Sequence, residues 1–278
     1  MGCQNVDMPV PQESPTGSPQ PQRSDQPRIE AIGRALVLLT ALAEAGPGGA
    51  SLAQLAEATG INKSTAYRAL STFRLHGYAT QTASGDYLLG PAALGLSDRF
   101  LSRDNLVRAL HPALVEISRE AQELVHLGTW QDDEVVYLDK VEPAARAIRV
   151  WSAIGQRVPV ASSSLGRALL AARGTPDGSL GVYIRSLPPD RVVTEERLRD
   201  SLRQARASGY STENEENEPG VACIGLALTS HGDAVAAISI TSMASRMTPN
   251  RQRELADMLR RVLPPLLPDG VELFEPVK

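Results

Sequence analysis

A stretch in the first third of the chain carries basic and hydroxyl side chains but no acid. Between Asn62 and Gly77 the charged residues are Lys63, Arg68 and Arg74. If this stretch is a helix whose apolar residues turn inward, its other face comprises Lys63, Ser64, Thr65, Tyr67, Arg68, Ser71 and Thr72. Arginine forms paired hydrogen bonds with guanine or phosphate, and hydroxyls reach base edges or phosphate oxygens. The residues of this face therefore predict contact with DNA. The alternative is that the face is solvated and the helix belongs to a protein-interaction module.

Three consecutive serines, Ser162–Ser164, stand where the segment VPVASSSLGRALLA changes from strand-like to helix-like residues. Hydroxyls and free backbone N–H groups converge at such a helix start, which attracts carboxylates. The alternative is that the serines only cap the helix, and from these residues alone capping is favoured.

The remaining polar residues form no catalytic or metal-binding pattern. The histidines His76, His111, His126 and His231 have no spacing typical of a nucleophile–base pair. Ser164–Arg167 reads S-x-x-R and lacks the lysine of S-x-x-K acyl enzymes. The acidic run Glu213–Glu218 contains no histidine and is typical of a solvated loop. The sequence therefore predicts no enzyme, no cofactor and no metal site.

Three predicted helices would position the DNA-contacting face. The first, RIEAIGRALVLLTALAEA, has an apolar stripe made of Ile32, Leu36, Leu39 and Leu42. The second begins after Ser51, a suitable N-cap, and ends at Gly60. The third, capped by Asn62 and ended by Gly77, has an apolar stripe made of Ala66, Ala69, Leu70 and Phe73. The short turn between the second and third helices is typical of a helix-turn-helix.

A β-hairpin is predicted directly after the third helix. In YATQTASGDYLLG, strand-favouring residues flank the turn pair Ser84-Gly85, so the hairpin would form a wing. A helical segment follows it. The predicted domains are a disordered tail at 1–27, a winged helix-turn-helix domain at 28–90, a helical linker at 91–104 and a larger domain at 105–270.

Beyond the linker the pattern mixes strands and helices. The segments VHLGTWQ, EVVYLDKVE, AIRVWSA, GVACIGLALTS and AVAAISITS favour strands, whereas SSLGRALLAA, 195–208 and 250–263 favour helices. The predicted fold class is α+β, with an antiparallel sheet partly covered by helices.

Composition limits the class of protein. Among 278 residues no apolar run approaches the length of a membrane-spanning helix, and the first residues lack the pattern of a signal peptide. Cys3 and Cys223 form neither a disulfide framework nor a zinc pattern, which favours the reducing cytoplasm. The net charge of −4 argues against nonspecific coating of nucleic acid, but it is compatible with a small DNA-reading surface.

The residues resemble the IclR-type transcriptional regulators. The matching segments of the first domain are RALVLLTALAEA, SLAQLAEATGINKSTAYRAL, Gly77-Tyr78 and YLLG. Those of the second are EVVYLDKVE, IGQRVPVASSSLGRALLA, GYSTENEENEPGVACIGLAL and AAISITS. The resemblance covers nearly all of residues 28–263. The hairpin tip, TASGD, lacks the basic residue that many members carry, so the third helix is expected to make most of the DNA contact.

The resemblance implies a GAF-like effector domain at 105–270 with helices flanking its antiparallel sheet. It also implies a homodimer formed through the DNA-binding half, often paired into a dimer of dimers, and a pseudo-palindromic operator in double-stranded DNA. In the family, the helix start, the acidic loop and the two following strands enclose the effector. The matching positions are Ser163, Ser164, Leu165, Glu213, Cys223, Ser239 and Thr241.

The implied function is a repressor of a catabolic operon that a small organic acid releases. A ligand-dependent activator and a protein-interaction adaptor are the alternatives. A hydroxyl-rich, acid-edged pocket suits a sugar acid, a keto acid or an aromatic acid, because it offers donors for a carboxylate and acceptors for hydroxyls. The stretch from Tyr137 to Pro159 looks most like members that control sugar-acid breakdown.

Overall fold

The computed structural model describes residues 29–103, 105–143 and 152–276, and for residues 100–103 and 105 it describes the backbone only. The predicted disordered tail at 1–27 and most of the strand predicted over 147–153 lie outside these ranges. The chain divides between Ser97 and Asp98 into two compact units. Within the described ranges, no helix combines the length and apolar content needed to cross a bilayer.

The first unit contains a helix-turn-helix followed by a hairpin. Its elements are α1 (Glu30–Glu44), α2 (Leu52–Thr59), α3 (Lys63–Leu75), β1 (Ala79–Gln81) and β2 (Tyr87–Leu89), and α4 (Ala92–Arg103) includes the division point. Ser51 and Gln54 form a capping box at the start of α2, which ends at Gly60 in the left-handed conformation. The Asn62 side chain caps α3 by accepting the backbone N–H of Thr65 at 2.9 Å. The predicted caps and turn are confirmed.

A small apolar core holds the first unit together. It consists of Leu38, Leu42, Leu55, Ala56, Ala66, Leu70, Ala79 and Tyr87. The apolar stripe predicted for α1 is partly wrong, because Ile32 is 54% exposed and Leu36 is 59% exposed. The cause is that α1 is apolar on more than one face, and only the face with Leu38 and Leu42 packs within this unit.

The second unit is built on one antiparallel sheet. Its strands are β3 (Leu124–Gln131), β4 (Glu134–Val141), β5 (Arg157–Pro159), β6 (Ser211–Asn214), β7 (Val221–Ser230), β8 (Asp233–Met243) and β9 (Val271–Leu273). The strand order is β5-β4-β3-β8-β7-β6, and β9 also pairs with β7. The helices are α5 (Asn105–Ala121), α6 (Ser164–Ala172), α7 (Leu180–Arg185), α8 (Glu195–Ser208) and α9 (Pro249–Val262).

Helices cover both faces of this sheet. The helices α5 and α9 pack on one face through residues such as Leu114 and Leu259. On the other face α6 and α8 pack through Leu169 and Leu202. The predicted α+β fold class, with an N-terminal helix-turn-helix and an antiparallel sheet flanked by helices, is confirmed.

A close approach of backbone to backbone fixes the start of α6. Gly166 lies in its first turn, and a Cβ added there would lie 2.2 Å from Cα of Val160. A Cβ on Gly225 of β7 would likewise lie 2.7 Å from the carbonyl oxygen of Ser164. The absence of side chains at these two glycines therefore lets α6 begin directly on the sheet.

Candidate functional site

In the first unit α3 presents a basic, hydroxyl-bearing face to solvent. Ala66 and Leu70 are fully buried, which fixes the side of α3 that faces outward. Of the six residues predicted to contact DNA, Thr65 is half-buried and the exposed ones are Lys63, Ser64, Tyr67, Arg68 and Thr72. The predicted residues thus share one accessible helix face, next to a helix N-terminus that favours phosphate.

The hydroxyls of this face form hydrogen bonds within α3 and its cap. The Ser64 hydroxyl donates to Oδ1 of Asn62 at 2.8 Å. The Thr72 hydroxyl donates to the carbonyl oxygen of Arg68 at 3.0 Å, and that of Ser71 donates to a carbonyl one turn back in the same way. The orientation of these side chains is therefore set before any partner binds.

The wing is braced by the end of α3. Nη1 of Arg74 donates to Oε1 of Gln81 at 2.8 Å, and Nε2 of Gln81 donates to the carbonyl oxygen of Gly85 at 2.9 Å. At the tip, the Ser84 hydroxyl donates to the Asp86 carboxylate. Arg74 is thus bound to the hairpin. The basic residues of the exposed α3 face, which we call the recognition face, are Lys63 and Arg68.

In the second unit, the seven predicted effector residues lie at the start of α6 and on the sheet face that packs against it. Ser163, Ser164 and Leu165 form the start of α6, and strand pairing places Glu213 beside Cys223 and Cys223 beside Thr241. Ser239 lies two residues before Thr241 on the same strand face. We call these seven residues the polar cluster. All except Cys223 are buried.

Ser163 and Ser164 at the start of α6 have different partners. The Ser163 side chain accepts the backbone N–H of Gly166 at 3.1 Å and is the cap. The carbonyl of Ser164 instead accepts the hydroxyl of Ser211 at 2.6 Å. The capping interpretation therefore holds for Ser163, and the effector role of the serine run stays a prediction.

The prediction of a solvated acidic loop is wrong for Glu213. This residue lies in β6, where pairing with β7 carries its side chain under the helical layer and leaves it 1% exposed. Its Oε1 accepts the backbone N–H of Glu216 at 2.7 Å and that of Asn217 at 3.0 Å. Burial raises the pKa of the Glu213 carboxyl, and these two N–H donors oppose the rise.

The structure adds a histidine that the sequence prediction had not placed in the site. His126 on β3 is 2% exposed and stacks on Tyr137 with 4.5 Å between ring centroids. Its Nε2 lies 2.9 Å from the Ser152 hydroxyl, and its Nδ1 lies 3.4 Å from that of Thr241. Burial lowers the pKa of His126 to about 3, with a smaller contribution from Lys140, so the imidazole is neutral near pH 7. A polar residue among the apolar residues that begin β3 was the available signal.

These contacts form a continuous hydrogen-bonded row across the sheet. The Thr241 hydroxyl lies 3.3 Å from Sγ of Cys223, and Cys223 is paired across the strands with Glu213. Burial raises the pKa of the Cys223 thiol well above its usual value, which keeps it protonated and a poor nucleophile. The row thus offers a neutral imidazole, hydroxyls and a protonated thiol, which suit binding rather than catalysis. No group of three or more potential metal ligands occurs in the described ranges.

Comparisons with known proteins agree with this architecture. Residues 31–83 match the IclR helix-turn-helix domain, and residues 98–263 match the bacterial transcriptional regulator IclR C-terminal domain. The HTH-type transcriptional regulator XynR of Escherichia coli is 30% identical over 226 residues, which cover 80% of this chain and 89% of the relative. The transcriptional repressor IclR of Escherichia coli is 29% identical over 239 residues, which cover 84% of this chain and 86% of the relative.

A solved structure shares the fold. The IclR homolog of Microbacterium hydrocarbonoxydans, complexed with 4-hydroxybenzoate, superposes with a TM-score of 0.68 at 20% identity, over 84% of this chain and 97% of the other. The family models together match more than half of the present chain, and the relatives are transcriptional regulators and not enzymes. The protein belongs to the IclR family of DNA-binding transcriptional regulators.

Proposed function

We propose that this protein represses a catabolic operon in the cytoplasm and that a small organic acid releases it from a pseudo-palindromic operator. The observation that carries the proposal is the pairing, in one chain, of an exposed basic helix face with a buried, hydroxyl-rich polar cluster. Repression has the further support that the Escherichia coli IclR relative is a repressor. Ligand binding would shift the population between DNA-binding and released states.

Operator contact falls to α3. Arg68 is suited to guanine or phosphate, Lys63 to phosphate, and the remaining contacts are assigned to Ser64, Thr65, Tyr67 and Thr72. The wing has an acid at its tip, Asp86, and is assigned a minor part.

A second copy would cover the exposed apolar face of α1. Ile29, Ile32 and Leu36 recur at helical spacing on this face and are each more than half exposed. Pairing two copies through it would present two α3 helices to two half-sites, as a palindromic operator requires. Two such dimers are proposed to assemble into the tetramer.

The effector is proposed to bind at the polar cluster. Its carboxylate would lie at the start of α6, near Ser164 and Leu165, where backbone N–H groups and hydroxyls converge. Hydroxyl or keto groups would meet Glu213, Cys223 and Thr241, together with Ser239. A sugar acid, a keto acid and an aromatic acid remain the three candidate classes, with a sugar acid favoured by the stretch from Tyr137 to Pro159.

The test of this function is a footprint on the DNA upstream of the protein's own gene, with and without D-gluconate, pyruvate and 4-hydroxybenzoate. We expect protection of two half-sites related by a dyad, and loss of protection with one of the acids. Stronger protection with an acid would make the protein a ligand-dependent activator or co-repressed regulator. Absence of any protected site would contradict operator binding.

Replacing Arg68 by alanine is expected to weaken operator binding by about 1–3 kcal/mol, or roughly 5- to 150-fold, because a paired contact to guanine or phosphate is lost. Arg34→Ala is the control, since it removes one exposed positive charge from α1 in the same unit. Titration of a labelled operator at constant salt measures both variants. Equal binding by the wild type and Arg68→Ala would remove Arg68 from the interface.

Thr241→Val is expected to abolish most of the rise in melting temperature that the active acid gives the wild type. The substitution keeps the shape of the side chain but removes the hydroxyl that contacts Cys223 and His126. For the wild type, ligand at about 100 times Kd adds about 2.7 kcal/mol of stability. Thr229→Val, at a half-buried position of β7, is the control. A full thermal shift in Thr241→Val would place the acid elsewhere.

A further inference from the structure

Among the described residues of the second unit, Arg167 is the largest fully buried side chain. It lies in the first turn of α6, directly behind the serines of the polar cluster, and its side chain is 0% exposed. Its Nε donates to the carbonyl oxygen of Ala161 at 2.9 Å, and its Nη1 donates to the carbonyl oxygen of Thr212 at 2.9 Å. One guanidinium thus joins α6 to β6, the strand that carries Glu213.

The same guanidinium holds the loop that follows β6. Nη1 of Arg167 forms an ion pair with Oε2 of Glu216. The other oxygen of that carboxylate accepts Nε of Arg197 at 2.9 Å, and Arg197, on α8, is half exposed. Glu216 is therefore held from the inside by a buried arginine and from the outside by a solvated one.

This loop in turn holds the carboxylate of Glu213. The backbone N–H groups of Glu216 and Asn217 both donate to Oε1 of Glu213. The position of that carboxylate thus depends on where the loop lies, and the loop is anchored by Arg167.

We propose that Arg167 is a positioning residue for effector binding, which holds the loop of Glu216 and Asn217 closed so that Glu213 is aimed at the effector. The inference rests on the proposed role of Glu213 as an effector contact. Arg167 itself lies outside the polar cluster and acts on effector binding through Glu213. Because α6 carries both the serines and Arg167, a single helix sets both ends of the cluster.

Arg167 also acts on the charge of Glu213. Glu213 is faced by the Cys223 thiol from β7, Tyr137 from β4, Arg167 from α6 and Glu216 from its own loop. The positive charge of Arg167 lowers the pKa of the Glu213 carboxyl, against the larger effect of burial. Removing that charge raises this pKa, so as pH falls Glu213 becomes protonated at a higher pH than in the wild type.

The test compares Arg167→Met with Arg197→Gln, which removes the solvated partner of the same carboxylate. NMR without any acid measures amide exchange at Glu216 and Asn217 and the titration of Glu213. Isothermal titration at several pH values then measures binding of D-gluconate, pyruvate and 4-hydroxybenzoate. Glu216→Gln is the second variant, because it retains the hydrogen bonds of Arg167 to the two carbonyls and is the milder change if Arg167→Met does not fold.

We expect amide exchange at Glu216 and Asn217 to be faster in Arg167→Met and in Glu216→Gln. Both variants should also bind the active acid about tenfold more weakly, because each loses a group that orients the side chain in contact with the ligand. As the pH is lowered, Arg167→Met should also lose its affinity for the acid at a higher pH than the wild type does. Arg197→Gln should match the wild type. Unchanged amide exchange, or faster exchange with unchanged affinity, would overturn the inference. If the wild type binds none of the three acids, the proposed effector classes fail, while the exchange and titration data still decide whether Arg167 positions Glu213.

Discussion

Replacing Leu70 by alanine is expected to cost the first unit about 2–5 kcal/mol and to remove operator binding with it. Leu70 is fully buried in the core formed with Leu38, Leu42 and Tyr87, and it fixes the outward face of α3. Truncation removes buried methyl groups and leaves a cavity that a small core cannot readily close. For a unit of this size such a loss is a large part of the total stability.

The matched control for this prediction is Leu75→Ala on the same helix. Leu75 is 80% exposed, so the same substitution leaves no cavity and should change stability by less than about 0.5 kcal/mol. Urea unfolding followed by circular dichroism at 222 nm measures both variants, and the transition that differs from the wild type belongs to the first unit, where both substitutions lie. Equal midpoints for the two variants would contradict the role given to Leu70.

The substitution Gly166→Ala is expected to destabilise the second unit by about 3 kcal/mol or more. The added methyl group would lie 2.2 Å from Cα and 2.4 Å from the carbonyl oxygen of Val160, and these backbone atoms cannot rotate away. The start of α6 would have to leave the sheet, which would carry Ser164 and Arg167 out of place. Effector binding should therefore fall together with stability.

Gly178→Ala is the control, because a Cβ at Gly178 meets no atom within 4 Å. Trp130 lies in β3, and Trp151, the other tryptophan of the chain, also follows Asp98 in the sequence, so tryptophan fluorescence during urea unfolding follows the second unit. The midpoint of Gly166→Ala should fall well below that of the wild type, and that of Gly178→Ala should stay near it. A wild-type midpoint for Gly166→Ala would show that α6 can shift without cost.

The parts of the fold that depend on neighbouring residues were predictable from the sequence. Ser51 and Asn62 cap helices by bonding to N–H groups three residues away, and Gly60 ends α2 through its own backbone angle. The apolar stripe of α3 needs only one helical period to be recognised. These short-range signals define the helix-turn-helix and hence the recognition face.

The sequence could not predict what depends on distant pairing. Glu213 is buried because β6 pairs with β7, and His126 enters the site because β3 lies beside β8, more than 100 residues later in the chain. The ion pair between Arg167 and Glu216 joins residues 49 positions apart. The apolar stripe predicted for α1 was partly wrong for another reason. Apolar residues such as Ile32 recur with the same helical period whether they pack inside their own unit or against a second copy.

The hydroxyl bonds inside α3 decide what kind of partner atom these side chains can meet. The hydroxyls of Ser64, Ser71 and Thr72 each donate their single proton to an oxygen of the helix or its cap. A hydroxyl in that state has only lone pairs left to offer. In a DNA complex that keeps these three bonds, the hydroxyls would accept from the amino groups of adenine or cytosine and would be repelled by phosphate oxygens. The basic side chains would then anchor the backbone, and the hydroxyls would read the bases.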